Sequence, residues 1–468
     1  MPPTSPAPRL RLALLLACLA PGPLAAQVPP ASFAVLDSVV RTSLERTGTP
    51  GASVAVVIDG TIAFARGYGV ANLESGAPVT TETLFRVGSV TKMVTGALLA
   101  QLAESGRIDL AAPISRYVPE LAGKRVGAVT TNQLLTHNAG WLDNAVAYGR
   151  MGEGALGEVM REVGDTLFLT EPGRVLSYSN PGYSMAGYVA EQAGGKRFAT
   201  LVEEMVLRPA GMSLSTFRPL EAVTRSFAQG HEGPPGQPGR VVRPFTENTA
   251  QWAAGFLFSN ATELARFAVM VMAGGMVEGQ IVLAPGAVQR LTAGQVPMPG
   301  REAAGARYAY GLVESRRDGQ RLLDHGGAIN GFHANVVMVP ERRFAVVVLT
   351  NRGGNPLAPV TEHALRTLAG LAPASSAAMT PRQPTAEERA ALVGRYGHGP
   401  VQVTLSERDG GLILTQGPAS LEVLIHGDRT IGFQPPGAPQ PTRVVYVPGP
   451  DGRVAYLHQG GRALPRLP

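Results

Sequence analysis

Ser89 and Lys92 stand three residues apart in "FRVGSVTKMVTGALLAQL" (Phe85–Leu102), an apolar stretch with helical spacing. Three residues is close to one helical turn, so the two side chains share a face. Lysine is scarce in this chain: only Lys92, Lys124 and Lys196 occur among 41 basic residues. Arginine keeps its proton in proteins, whereas a desolvated lysine can lose it and act as a base. A serine hydroxyl is a weak nucleophile until such a base takes its proton. The start of a helix also points unpaired backbone N–H groups at developing negative charge. The pair therefore suits acyl transfer through a serine ester, although S-x-x-K alone also fits a helix cap beside a surface lysine.

Two more polar stretches supply partners. Tyr178-Ser179-Asn180 lies in "EPGRVLSYSNPGYSMAGYVAEQAGG" (Glu171–Gly195), a Gly/Pro loop ahead of a helical pattern. His325-Gly326-Gly327 lies in "LLDHGGAINGF" (Leu322–Phe332), on an apolar run entering a strand pair. With these three motifs in this order the chain resembles the serine β-lactamase and penicillin-binding protein superfamily, specifically its class C-like branch of esterases, D-peptidases and β-lactamase-related hydrolases. "TTNQLLTHNAGW" (Thr130–Trp141), "WAAGFLFSNATELARF" (Trp252–Phe267) and "VVVLTN" (Val346–Asn351) extend the resemblance over roughly 31–370.

The resemblance implies roles. Ser89 would form an acyl-enzyme, Lys92 would activate it, and Tyr178 would pass the proton to the leaving group. Asn180 would hold the substrate amide or carbonyl. The backbone N–H groups of Ser89 and of Ala328, which follows Gly327, would form the oxyanion hole. The third motif departs from the antibiotic-cleaving members, which carry lysine where this chain has His325. That lysine gives a substrate carboxylate a fixed positive charge, and histidine is shorter and largely neutral at pH 7. The expected substrates are therefore small esters or amides and peptides, including those with D-amino acids. The alternatives are a β-lactamase or D-alanyl-D-alanine carboxypeptidase, and a non-catalytic ligand sensor of the same fold.

The elements that must position these residues follow from periodicity. Phe33, Leu36, Val39, Val40 and Leu44 mark an amphipathic helix over roughly 31–47. Ser53–Gly69 reads as two strands joined at Asp59-Gly60, and Ala334–Pro340 with Phe344–Asn351 as a second hairpin. A helical pattern follows over Pro356–Gly370, and the long middle, about 85–275, is mostly helical. The expected fold is α/β (α+β): an antiparallel sheet made from both ends of this unit, flanked by terminal helices, with an inserted all-helical lobe. Beyond a small-residue and proline segment, six short strand patterns between Val401 and His458 predict a small β-barrel. With "ALVGRYG" (Ala391–Gly397) at its start, this part resembles the lipocalin-like module appended to some members. The domain reading is 1–26 signal peptide, 31–372 catalytic domain, 373–388 linker and 389–468 barrel.

Composition excludes other classes. Charged residues make up 16% and the formal charge is +6, with no basic run or basic-aromatic stripe, so nucleic acid is not an expected partner. Arg9 and Arg11 precede the apolar Leu12–Ala20, a pattern of an export signal cleaved after Ala26, which predicts a periplasmic or secreted protein. A second reading, "LLAC" (Leu15–Cys18), is a lipoprotein site that would anchor the chain through Cys18, its only cysteine. No later run reaches transmembrane length. Oligomeric state has no sequence signal. The eight histidines form no H-E-x-x-H or close ligand cluster, so neither metal nor cofactor is expected. "GYSMA" (Gly182–Ala186) offers Ser184 as a rival nucleophile, but it lacks the buried strand that a G-x-S-x-G elbow follows.

Overall fold

The computed structural model describes residues 30–144, 148–374, 380–438 and 441–468. The leader read over 1–26, with Cys18, lies outside them. Two eight-stranded antiparallel sheets organise the chain. The first contains β1 (Gly51–Ile58), β2 (Thr61–Gly69), β3 (Val296–Pro297), β4 (Arg307–Tyr308), β5 (Val313–Arg317), β6 (Gln320–Ile329), β7 (Phe332–Val339) and β8 (Phe344–Thr350). Their order is β2-β1-β8-β7-β6-β5-β4-β3. The two ends of the unit meet at the β1–β8 pair, with Val54 opposite Val348. Asp59 and Gly60 both take positive φ in the β1–β2 turn, as the hairpin signal requires.

Strand β1 is buried along nearly its whole length because helices cover both faces of the sheet. On the outer face, α1 (Pro30–Thr47) sets Leu36 and Val40 against Val54, Val346 and Val348, beside Val360 of the C-terminal helix Ala358–His363. On the inner face, Ala55, Val347 and Leu349 pack with the helical lobe. Helix α2 (Thr91–Glu104) runs through the centre of that lobe, and every residue from Thr91 to Ala100 is buried. A helix apolar all round belongs in a core. Lys92 is the one ionisable residue within that buried run.

The second sheet contains β9 (Gly394–His398), β10 (Val401–Arg408), β11 (Gly411–Gln416), β12 (Ala419–Gly427), β13 (Thr430–Phe433), β14 (Thr442–Pro448), β15 (Val454–Gln459) and β16 (Arg462–Pro465), each paired with the next. A bridge between Tyr396 and Arg466 and the Leu467 N–H bond to Arg395 O (2.7 Å) bring its edges together as a nearly closed barrel. Six of these eight strands follow the apolar patterns read above. The other two, β9 and β16, are short and interrupted by glycine or proline. A capped helix, Ala386–Leu392, begins within the segment read as linker.

Candidate active site

Ser89 lies in a 3-10 turn, Gly88–Val90, that runs directly into α2. The Lys92 Nζ atom is 3.3 Å from Ser89 Oγ, 2.6 Å from Asn180 Oδ1 and 2.6 Å from Ala254 O. Lys92 has no exposed surface. The last two partners are acceptors only, so the amine must donate to both. A neutral amine then has one lone pair left, and it faces the Ser89 hydroxyl. Burial drives the Lys92 pKa well below its ordinary value, which favours this neutral form.

Tyr178 and Asn180 come from the loop and first turn of helix Asn180–Gly194. Ser179 caps that helix by accepting the Gly182 N–H at 3.2 Å. Lys92 Nζ sits 4.7 Å from the Tyr178 ring centroid and 5.2 Å from that of Tyr183. Burial raises the Tyr178 pKa, while its hydrogen bond with Ser89 works the other way. Thus Ser89, Lys92, Tyr178 and Asn180 converge at one point, although 88 residues separate Lys92 from Asn180.

Gly327 and Ala328 lie on β6, pressed against the Ser89 turn. A methyl group built at Gly327 would stand 2.0 Å from Val87 O and 3.0 Å from Ser89 N. One at Gly88, whose φ is +52°, would stand 2.6 Å from Ala328 N. Only glycine permits this backbone contact at either position. The amides of Ser89 and Ala328 are thereby held across a narrow seam.

His325 reaches the same region with both ring nitrogens occupied. Ser179 N–H donates to His137 Nδ1 (3.1 Å), so the neutral His137 ring carries its proton on Nε2. That Nε2–H donates to Tyr308 Oη (3.2 Å), and the Tyr308 hydroxyl donates to His325 Nε2 (2.9 Å). His325 Nδ1–H ends the chain on Gly326 O (2.6 Å). Burial holds His137 well below its usual pKa and His325 at about 3, so both rings are neutral. His325 accordingly braces β6 and leaves no ring N–H directed at the cleft.

The barrel brings a guanidinium, that of Arg462, to the site. Its Gly460-Gly461 turn docks on the segment before Asn180: Tyr178 N–H donates to Gly461 O (2.8 Å), and His458 Nε2–H to Leu176 O (2.9 Å). Arg462 Nε donates to Asp143 Oδ2 (2.8 Å), and its guanidinium lies 5.1 Å from the Tyr178 ring centroid. Arg462, Asp143 and Tyr308 carry no local sequence motif. The rival Ser184 is fully buried inside its helix and its Oγ has no hydrogen-bond partner among the described residues.

The buried histidines make a stability prediction. With folded pKa values of about 3 for His325 and about 4 for His333, the folded state refuses protons that the unfolded chain takes up below its pKa near 6.5. Stability is therefore fully present above that value and falls as pH drops from about 6.5 toward 4. The slope is about 1.4 kcal/mol per pH unit for each such histidine. Melting temperature followed between about pH 7 and pH 5, above most carboxylate titrations, tests this. His333→Gln should make the fall shallower, and a flat profile in the parent protein would rule the argument out.

An antiparallel sheet with an inserted helical lobe, and a serine at the seam between them, is the arrangement of the β-lactamase fold. The chain belongs to the Beta-lactamase family, whose profile matches residues 36–370. It is 28% identical over 329 residues to the unguisins hydrolase ungD' of Aspergillus campestris, covering 67% of this chain and 60% of that protein. It is 29% identical over 324 residues to a D-aminopeptidase of Gluconobacter oxydans, covering 68% and 58%. The match thus spans less than two thirds of either relative. The crystal structure of SurE superposes with a TM-score of 0.74 at 26% identity, over 93% of this chain and 98% of SurE. The structure of SurE with D-Leu gives 0.72 at 27% identity, over 93% and 99%.

Proposed function

We propose that the protein cleaves small esters or amide bonds of short peptides, including those with D-amino acids, through an acyl-enzyme on Ser89. The observation that carries this reading is the buried Lys92 amine, held 3.3 Å from Ser89 Oγ by two carbonyl partners. In the neutral form that burial favours, those partners take both N–H bonds and the lone pair is left to Ser89. Lys92 takes the Ser89 proton as the hydroxyl attacks the carbonyl carbon. The oxyanion gathers at the Ser89 and Ala328 amides, and Tyr178 hands a proton to the departing alcohol or amine. Water then repeats the sequence on the acyl-enzyme. Asn180 serves both Lys92 and the substrate amide. Relatives named for a D-aminopeptidase and for a complex with D-Leu support the D-configured substrate class.

The test is a panel of p-nitrophenyl esters, D- and L-aminoacyl amides and nitrocefin. Ser89→Ala should fold normally, lose nearly all turnover and escape a fluorophosphonate probe that labels the parent. A probe found on Ser184 would overturn the assignment. Preference for nitrocefin over p-nitrophenyl butyrate would replace the ester-or-peptide reading with a β-lactamase, as a relative from Yersinia enterocolitica is named. A single stoichiometric burst without turnover would instead indicate a sensor. We further propose export with cleavage after Ala26 and a catalytic unit joined to the barrel through 373–388. A mature N-terminus at Gln27 supports that processing, and a lipid on Cys18 replaces it.

A further inference from the structure

Asp143 lies outside every sequence motif, yet it accepts hydrogen bonds from two sides. Its side chain is 8% exposed. Its Oδ1 accepts the Asn180 backbone N–H and Nδ2–H, each at 3.0 Å. Its Oδ2 accepts Arg462 Nε at 2.8 Å, together with Arg462 Nη2. A primary amide has one donor end and one acceptor end. With its NH₂ tied to Asp143, Asn180 must turn Oδ1 toward Lys92, where it stands 2.6 Å from Nζ.

We propose that Asp143 is a positioning residue for the Lys92 base, orienting the Asn180 amide, and that Arg462 from the barrel balances its charge. Among the described residues, the charged groups that act on Lys92 are these two, one from the helical lobe and one from the barrel. His137, His325, Tyr178 and Tyr183, contributed by other elements, are neutral near pH 7. Asp143 favours the ammonium form of Lys92 and Arg462 opposes it, so the two act with opposite sign. Docking of the barrel hairpin therefore offsets part of the pull that the carboxylate exerts toward the ammonium form, in the same direction as burial.

This inference rests on Lys92 being the base for Ser89, and the experiment separates the two ideas. The rate of fluorophosphonate labelling at Ser89 is measured against pH in the full-length parent, Asp143→Asn, Arg462→Gln and the double variant. Loss of the carboxylate should move the rising limb to lower pH, and loss of the guanidinium should move it to higher pH. On the limb, the single variants should depart from the parent by on the order of threefold in opposite directions. The double variant should return close to the parent. Because Arg462 is 49% exposed, its effect should shrink at high salt. Asp143→Ala, which also frees the amide of Asn180, should lower kcat for a p-nitrophenyl ester with little change in KM. Asp143→Asn keeps an acceptor and should recover part of that loss. A merely structural pair would lower the melting temperature in both single variants and leave the limb in place, or move it the same way in both. Either result overturns the proposal. If the parent is not labelled at Ser89 at all, the hydrolase reading itself fails.

Discussion

Lys92→Arg is expected to reduce kcat for ester hydrolysis by about 10³-fold or more while the protein stays folded. The substitution keeps the positive charge and much of the reach, but a guanidinium does not release its proton at any pH the protein survives. In the neutral form that burial favours, the parent's Asn180 Oδ1 and Ala254 O take two N–H bonds and leave a lone pair for Ser89. Arginine has no lone pair to offer there. Because the site is fully buried, the larger head group could also strain the fold, so Lys92→Met serves as the companion variant. Both should retain a cooperative melt, and both should be similarly inactive. An arginine variant within tenfold of the parent would mean that lysine acts here only as a fixed charge.

Gly327→Ala is the second large effect, with kcat expected to fall about 10²–10³-fold, the usual cost of losing an oxyanion donor. The added methyl would collide with Val87 O at 2.0 Å, an atom of the backbone that cannot swing aside like a side-chain tip. Relief requires β6 to retreat from the Ser89 turn, which widens the gap between the Ser89 and Ala328 amides. Steady-state kinetics with p-nitrophenyl butyrate, together with a melting curve, measures both halves of the claim. A variant that melts normally and keeps more than about a third of the parent kcat would show that these amides do not form the oxyanion site.

What the sequence could disclose was whatever chemistry is local. Ser89 and Lys92 are one turn apart, and Tyr178 and Asn180 share one loop, so their residue types and spacing name them directly. The two hairpins were equally legible, since Asp59-Gly60 and the alternation into β7 and β8 are short-range signals. The His325 motif was visible, but its direction was not. Its ring nitrogens are taken by Tyr308 and by Gly326 O, in a hydrogen-bond chain that begins at His137, and no spacing rule links the three side chains. Asp143 and Arg462 were invisible for the same reason: 319 residues separate them, and each alone is an ordinary polar residue beside a turn. Strands β9 and β16 escaped because "GRYGH" and "RALP" are too short and broken to show alternation.

The docking of the Gly460-Gly461 turn on Tyr178 has a consequence for the order of synthesis. Translation runs at about 5–20 residues per second, so Arg462 leaves the ribosome on the order of 20–70 s after Lys92. In the later part of that interval, once Tyr178 and the helices around it have emerged, Ser89, Lys92 and Tyr178 can all be present on the helical lobe. The Tyr178 N–H still lacks its Gly461 acceptor, and Asp143 lacks its counter-charge. A nascent chain thus carries Ser89, Lys92 and Tyr178 before it carries the contacts that the barrel makes with their surroundings, and the assembled site depends on both sheets.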